Sequence, residues 1–308
     1  MRNQLILLLA FVLFVFNVSA QEEDLLGLLD EEETTEYVEA AFKTTRVVNS
    51  HSLENVSEGV LDFKISHRFG EVNQGVYDLF GLDRATLRLG FDYGVTDRFM
   101  IGVGRSTVEK AYDGFVKYKI LRQSTGAKQM PVTLIWISTA AVNTLRWPNE
   151  ERDNLFSSRM SYTHQAIVGR KFSKGFSAQL MPTAVHKNLV ATREDANTIL
   201  AMGIAGRQKI GNRIAINAEY YHVLPDQITQ DYHNSLSLGV DIETGGHVFQ
   251  LHFTNSTAMI EKGFITETGN NWLDGEIHFG FNISRVFTVK KPEEFKKERV
   301  KRKAERAK

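Results

Sequence analysis

The sequence predicts an all-β fold, a transmembrane antiparallel up-and-down β-barrel of about 12 strands. Three observations predict it. Between residues 59 and 287, short stretches of alternating apolar and polar residues recur with the period of two that marks strands. The connectors between them run long, short, long, short, which makes one tight rim and one ragged rim. The N-terminus carries an export signal, which a barrel of the outer membrane needs.

Residues 1–20 read as a secretory signal peptide. Arg2 supplies the positive end, Leu5 to Phe16 form an unbroken apolar run, and Val18-Ser19-Ala20 offers a small-residue cleavage site before Gln21. The run is shorter than the roughly 20 apolar residues that span a bilayer. No later stretch matches it, so no transmembrane helix is expected. Residues 21–58 begin with an acidic block: Glu22, Glu23, Asp24, Asp30, Glu31, Glu32, Glu33, Glu36 and Glu39, with no Lys or Arg before residue 43 except Arg2. Such blocks are ordinarily solvated. The part from Glu39 to Glu58 shows no periodicity but carries Thr44, Thr45, Arg46, Asn49, His51 and Asn55. Two readings stand for it, a plug folded into the barrel mouth and a polar periplasmic lead-in.

The barrel is placed at 59–287. Its first strand sets Leu61, Phe63, Ile65 and Phe69 against Asp62, Lys64, Ser66 and Arg68, and its second sets Ala85, Leu87, Leu89, Phe91 and Tyr93 against Thr86, Arg88, Gly90 and Asp92. The third lies near 98–106. The fourth opposes Val116, Tyr118 and Ile120 to Lys117 and Lys119. Weaker alternation places the next four near 131–142, 159–169, 175–186 and 197–208, the last being poorest because Leu200, Met202 and Ile204 leave both faces apolar. The ninth sets Ile214, Ile216, Ala218 and Tyr220 against Ala215, Asn217, Glu219 and Tyr221. Two more lie near 234–243 and 247–255, and the twelfth opposes Ile277, Phe279, Phe281 and Ile283 to Glu276, His278, Gly280 and Asn282. Pro182, inside the seventh, lacks a ladder N–H and is expected to mark a bulge.

Tight connectors at 94–97, 124–130, 169–175, 209–212 and 243–246 are rich in Gly, Asp, Asn and Lys, residues that accept turn geometry. Longer ones fall at 70–83, 107–113, 143–157, 187–196, 225–234 and 255–272. A periplasmic N-terminus puts every tight turn in the periplasm and every long loop outside, the usual arrangement. A soluble β-barrel also alternates, but twelve strands with the apolar face inward would leave a very large core to fill. Aromatic residues also gather at strand ends, as interfacial girdles require. Residues 288–308 follow the last strand as a basic tail in which Lys and Arg outnumber Glu; a solvated tail on the periplasmic side is expected.

The stretch Phe42-Lys43-Thr44-Thr45-Arg46-Val47-Val48-Asn49-Ser50-His51-Ser52 resembles the opening of an uncharacterised family of Gram-negative outer-membrane β-barrel proteins, a domain of unknown function. The likeness continues through residues 59–70, Phe80-Gly81-Leu82-Asp83, Asp92-Tyr93-Gly94-Val95-Thr96-Asp97, residues 101–106, 113–119 and 121–126, and more loosely through 181–186 and 281–285. The resemblance implies the barrel and its location in the cell outer membrane. It implies no activity.

Chemistry is excluded more readily than assigned. With no cysteine there is no disulfide, thiolate metal site, cysteine nucleophile or lipidated N-terminal cysteine. No metal and no cofactor is expected: His252 and His278 face inward on neighbouring strands but lack a third ligand. Gly102-Val103-Gly104 falls inside a strand, where small residues fit a curved wall. His233-Asn234-Ser235 is the one His-x-Ser triplet, but a serine hydrolase needs a base and an orienting group in register on the lipid-facing wall.

The polar faces leave a lumen. Early strands contribute Lys64, Arg68, Arg88, Lys117 and Lys119; late strands contribute Glu219, Asp241 and Glu276, while Asp62 and Asp92 break the division. Opposed charged walls would bias which solutes pass a water-filled pore. Alternatively the charges pair and close it, Glu276 meeting Lys64 where the last strand joins the first. The expected function is a channel for small polar solutes. The alternatives are a closed barrel presenting loops 70–83, 143–157 and 255–272 to an outside partner and, last, a membrane-embedded lipid hydrolase. Expected partners are outer-membrane lipid and the outer-membrane barrel-assembly machinery, with no nucleic acid; a periplasmic or extracellular partner is left unidentified.

Overall fold

A computed structural model describes residues 34–151 and 153–290. The signal peptide, most of the acidic block and nearly all of the basic tail lie outside the described residues. In chain order the strands are β1 (Thr35–Tyr37), β2 (Val60–Glu71), β3 (Ala85–Gly94), β4 (Phe99–Ser106), β5 (Tyr112–Leu121), β6 (Ser124–Gly126) and β7 (Thr133–Val142). They continue as β8 (Met160–Lys171), β9 (Phe176–Lys187), β10 (Thr198–Lys209), β11 (Ile214–Val223), β12 (Leu236–Thr244), β13 (His247–Thr254) and β14 (His278–Thr288).

All of these except β1 and β6 form a closed antiparallel barrel, with β14 returning to pair with β2. Closure removes every sheet edge, which a bilayer demands because no water there can satisfy unpaired backbone groups. Outward residues are apolar all round: Phe91, Val103, Val116, Trp136, Leu180, Ile204, Ile216, Leu238 and Leu251 are all exposed. In water such a belt would drive aggregation; against lipid it is the expected surface. Among the described residues no helix is long and apolar enough to cross a membrane.

Two local expectations are corrected. Pro182 makes no bulge: the β9–β10 register runs unbroken through Met202↔Pro182, and toward β8 the same register resumes on either side of it at Gln165↔Thr183 and Val168↔Leu180. The missing N–H interrupts pairing without adding a residue. The connector 124–130 is more than a turn, since β6 within it pairs with β1 from Tyr37↔Ser124 to Thr35↔Gly126. That small sheet anchors the start of the described chain on the rim of tight turns. Arg122 closes over it, its guanidinium 4.0 Å from the Tyr37 ring centre.

On the loop rim, the 188–197 and 224–235 connectors are tied through Asp195. Its carboxylate accepts the Thr229 N–H and hydroxyl, both at 2.8 Å, and the Thr192 N–H and hydroxyl, both at 3.0 Å. Those bonds, Thr229's first, lower its pKa to about 2. A carboxyl whose folded pKa lies below its unfolded value stabilises the fold above the unfolded pKa and loses that contribution as pH falls through the folded one. Relative to the intrinsic rate at each pH, amide exchange at Thr229 should therefore be slow at pH 5 and lose that protection as the pH approaches 2. In Asp195→Ala it should be fast at both.

Candidate functional site

The lumen is occupied by the chain itself. Residues 41–56 leave the turn rim, run into the barrel, reverse through an Arg46↔His51 bridge closed by a Val47 N–H to Ser50 C=O bond of 2.8 Å, and return to the same rim. Gly94 permits the return, since a Cβ there would lie 2.1 Å from the Ser57 carbonyl oxygen. Phe42, Val47, Leu53 and Val56 of this hairpin are buried in one cluster with Ile135, Ile137, Ile167, Met181, Val185, Ala201 and Ala205. β7 and β10 thus turn Ile135, Ile137, Ala201 and Ala205 inward onto the hairpin, while β8 and β9 set Thr163, Gln165, Gln179 and Thr183 among Ile167, Met181 and Val185; an inward apolar side is why the alternation of β10 is weak.

A second insertion comes from the loop rim. The 255–277 connector turns inward and forms a short helix, α1 (Glu261–Thr266), whose Phe264 and Ile265 join the same cluster. This corrects the expectation that residues 255–272 are presented to an outside partner. The two insertions meet: Arg46 Nη1 lies 2.7 Å from Glu261 Oε1, the His51 ring lies 3.4 Å from the same oxygen, and His51 packs edge-on to Phe115. Space remains on either side of that junction. A cavity of about 680 Å³ opens at the turn rim beside Asp62, Glu243 and Ser284, and one of about 110 Å³ lies beyond α1.

The wall charges do not divide into a basic and an acidic side. Lys64 Nζ reaches Asp92 at 2.6 Å and Asp62 at 3.4 Å, so the two acids that seemed to break the pattern are the partners of the early bases. Arg88 Nε donates to Asp113 at 2.9 Å and the same pair is bonded a second time through Nη2. Asp241 accepts from Gln250 at 2.7 Å with Arg207 3.8 Å away. Glu276 does not meet Lys64. The β14–β2 register puts Ser284 opposite Lys64, and Glu276 lies at the loop rim accepting the Asn271 N–H at 2.8 Å. The physical reason is antiparallel register: residues at the start of β14 oppose the end of β2, not its middle. Lys119 is half-buried near the turn rim.

The wall groups without such partners face the hairpin. Glu219 accepts the N–H groups of Val48, Asn49 and Ser50 at 3.2, 2.8 and 3.0 Å, and the Ser50 hydroxyl at 2.6 Å. Successive N–H groups converging on one carboxylate form a nest, an arrangement that binds anions. Lys117 Nζ donates to the carbonyls of Ser52, at 2.8 Å, and Glu54. Arg68 Nη2 donates to Asn49 Oδ1 at 2.7 Å, and Thr45 donates to Asp92 at 2.8 Å. Thr44 turns back to the Arg46 carbonyl at 2.6 Å.

Gly102 and Gly104 serve a different purpose from easing wall curvature. A Cβ at Gly102 would lie 2.2 Å from the Phe115 ring, and one at Gly104 would lie 2.3 Å from Arg88 Nη2. They are small so that inward side chains can lie flat. Ser235 is buried, 2 % exposed, with the inward parity of Ser237, away from the lipid-facing wall that a lipid hydrolase would use. His252 and His278 are diagonal neighbours, and no cluster of three metal-ligating side chains occurs among the described residues.

Residues 42–287 match a family described as a membrane bound beta barrel domain. Among solved structures the chain is similar to the NanC porin, at 11 % identity over 75 % of this chain and 100 % of that one, with a TM-score of 0.46. It is similar to the KdgM porin at 8 % identity over 74 % and 99 %, with a TM-score of 0.45. For an outer membrane channel from Pseudomonas putida F1 the figures are 12 % identity, 77 % and 98 %, and a TM-score of 0.44. No curated protein matches the chain in sequence.

Proposed function

The chain belongs to the membrane bound beta barrel domain family, and we propose that it is an outer-membrane channel for small polar solutes, held shut by its own residues 41–56. One observation carries the reading. Both ends of the hairpin reach the same rim, so it can swing out of the lumen without threading the wall. The groups it leaves behind, among them Arg68, Lys117 and Glu219, are charged and would be hydrated once it goes. Its apolar side chains oppose withdrawal, each contributing about 1.5–3 kcal/mol when fully buried, so the resting state is shut. Outer-membrane lipid against the apolar belt and the barrel-assembly machinery that inserts such proteins are the partners this reading requires.

The test locks the hairpin in place. The chain has no native cysteine, and a Cβ at Gly239 would lie 3.2 Å from Val48 Cγ2, within reach of a disulfide after small adjustment. In planar bilayers the reduced Val48→Cys/Gly239→Cys protein should show brief single-channel openings that vanish on oxidation and return with reductant. Identical openings in both states would mean that residues 41–56 do not gate the lumen.

A further inference from the structure

The wall reads the hairpin's main chain more than its side chains. Glu219 takes three consecutive backbone N–H groups. Gln250 donates to the Val47 carbonyl at 2.5 Å, Asn282 to that of Val48 at 3.0 Å, and Gln179 to that of His51 at 2.7 Å. Lys117 donates to the carbonyls of Ser52 and Glu54. Main-chain amides are the same at every residue, so groups placed this way hold a polypeptide regardless of its sequence. The polarity is also defined. From Ser50 to Glu54 the chain runs from the Glu219 carboxylate to the Lys117 ammonium, and neither group makes an ion pair among the described residues. A free peptide carries the complementary charges, an ammonium at its start and a carboxylate at its end.

We propose that the solutes admitted by this lumen are short linear oligopeptides with free termini, bound with the N-terminus toward Glu219 and the C-terminus toward Lys117. Residues 50–54 occupy the same groups as an internal stand-in. The assignment rests on the channel reading above and names the substrate class of that channel. A neutral polyol can hydrogen-bond to Glu219 and Lys117 but brings neither an ammonium for the first nor a carboxylate for the second, so it gains no charge-assisted bond at either end.

The test opens the lumen from the hairpin side and leaves the wall intact. Ser50→Pro removes an N–H and a hydroxyl that Glu219 accepts; Arg46→Glu, as an independent variant, opposes Glu261. Each full-length protein is recorded in planar bilayers with tetra-alanine, with its acetylated and amidated form, and with maltotetraose. Both variants should conduct, and free tetra-alanine should block the current. The capped peptide should block at least tenfold more weakly and maltotetraose not at all at the same concentration. Adding Lys117→Ala to Ser50→Pro should weaken the block by free tetra-alanine at least tenfold. Equal block by the capped peptide overturns the placement of the termini. No block by tetra-alanine, or equal block by maltotetraose, overturns the substrate class while the channel stands. Silence from both variants as folded, heat-modifiable barrels overturns the channel reading and this assignment with it.

Discussion

Glu219→Ala is expected to turn a nearly silent barrel into one that conducts steadily. Its carboxylate satisfies the N–H groups of Val48, Asn49 and Ser50 and the Ser50 hydroxyl at the tip of the hairpin. Alanine leaves those donors facing an apolar methyl, and each orphaned buried donor costs about 1–3 kcal/mol. The docked state therefore loses at least about 3 kcal/mol against a withdrawn state in which water satisfies the same groups, a shift of roughly a hundredfold or more in population. The barrel itself should be spared, because Glu219 makes no bond to a neighbouring wall side chain among the described residues. Open probability in planar bilayers and the urea midpoint of the heat-modifiable band separate the two effects. The first should rise steeply while the second moves little. Glu219→Gln keeps one acceptor oxygen and should fall between wild type and alanine. A fully silent Glu219→Ala barrel would remove this residue from the closing mechanism.

The strands were legible because membrane and lumen impose opposite polarity on successive residues. β2, β3 and β11 announce themselves for that reason, and turn chemistry after Gly94 and at Gly211-Asn212 joins β3 to β4 and β10 to β11 on the expected rim. The pairing of the wall charges and the inward course of the last loop are carried by neither period nor composition. Which wall charges pair depends on strand adjacency and register: Lys64 finds Asp92 on β3 one strand away, and Glu276 misses it by falling before the start of β14. The inward loop leaves no periodic signal in the sequence, because a six-residue helix has no room to show one. A signal was present all the same. Met259, Ile260, Phe264 and Ile265 form an apolar patch in a loop assigned to solvent, and such a patch wants cover. Ile135 and Ile137 of β7 and Ile199, Ala201 and Ala205 of β10 carry the same message in reverse, since apolar residues on an inward face need something to pack against them.

Asp113→Ala should cost the barrel more stability than any other single change in the lumen wall. Arg88 is buried, and its guanidinium lies flat between Gly90 and Gly104 with its two-point bond to Asp113 as the sole carboxylate contact among the described residues. Removing one partner of a buried pair strands the other charge, at about 3–5 kcal/mol. Unlike the Glu219 donors, Arg88 cannot escape into water by a segment moving away, because it is part of β3 and is closed in by β2 and β4 on either side. The loss must then appear in folding: a large drop in the urea midpoint of the heat-modifiable band, or failure to insert. Arg88→Met with Asp113→Leu removes both charges at once and should recover most of the loss, since the desolvation of the guanidinium disappears with it. Gly104→Ala tests the same geometry from the other side. Its methyl would occupy the space of Arg88 Nη2, push the guanidinium off Asp113, and destabilise in wild type while being tolerated beside Arg88→Met. If Gly104→Ala is equally harmful in both backgrounds, the glycine serves the curvature of β4 rather than the ion pair, and the wall charges would have to be ranked again by the bonds they make to residues 41–56.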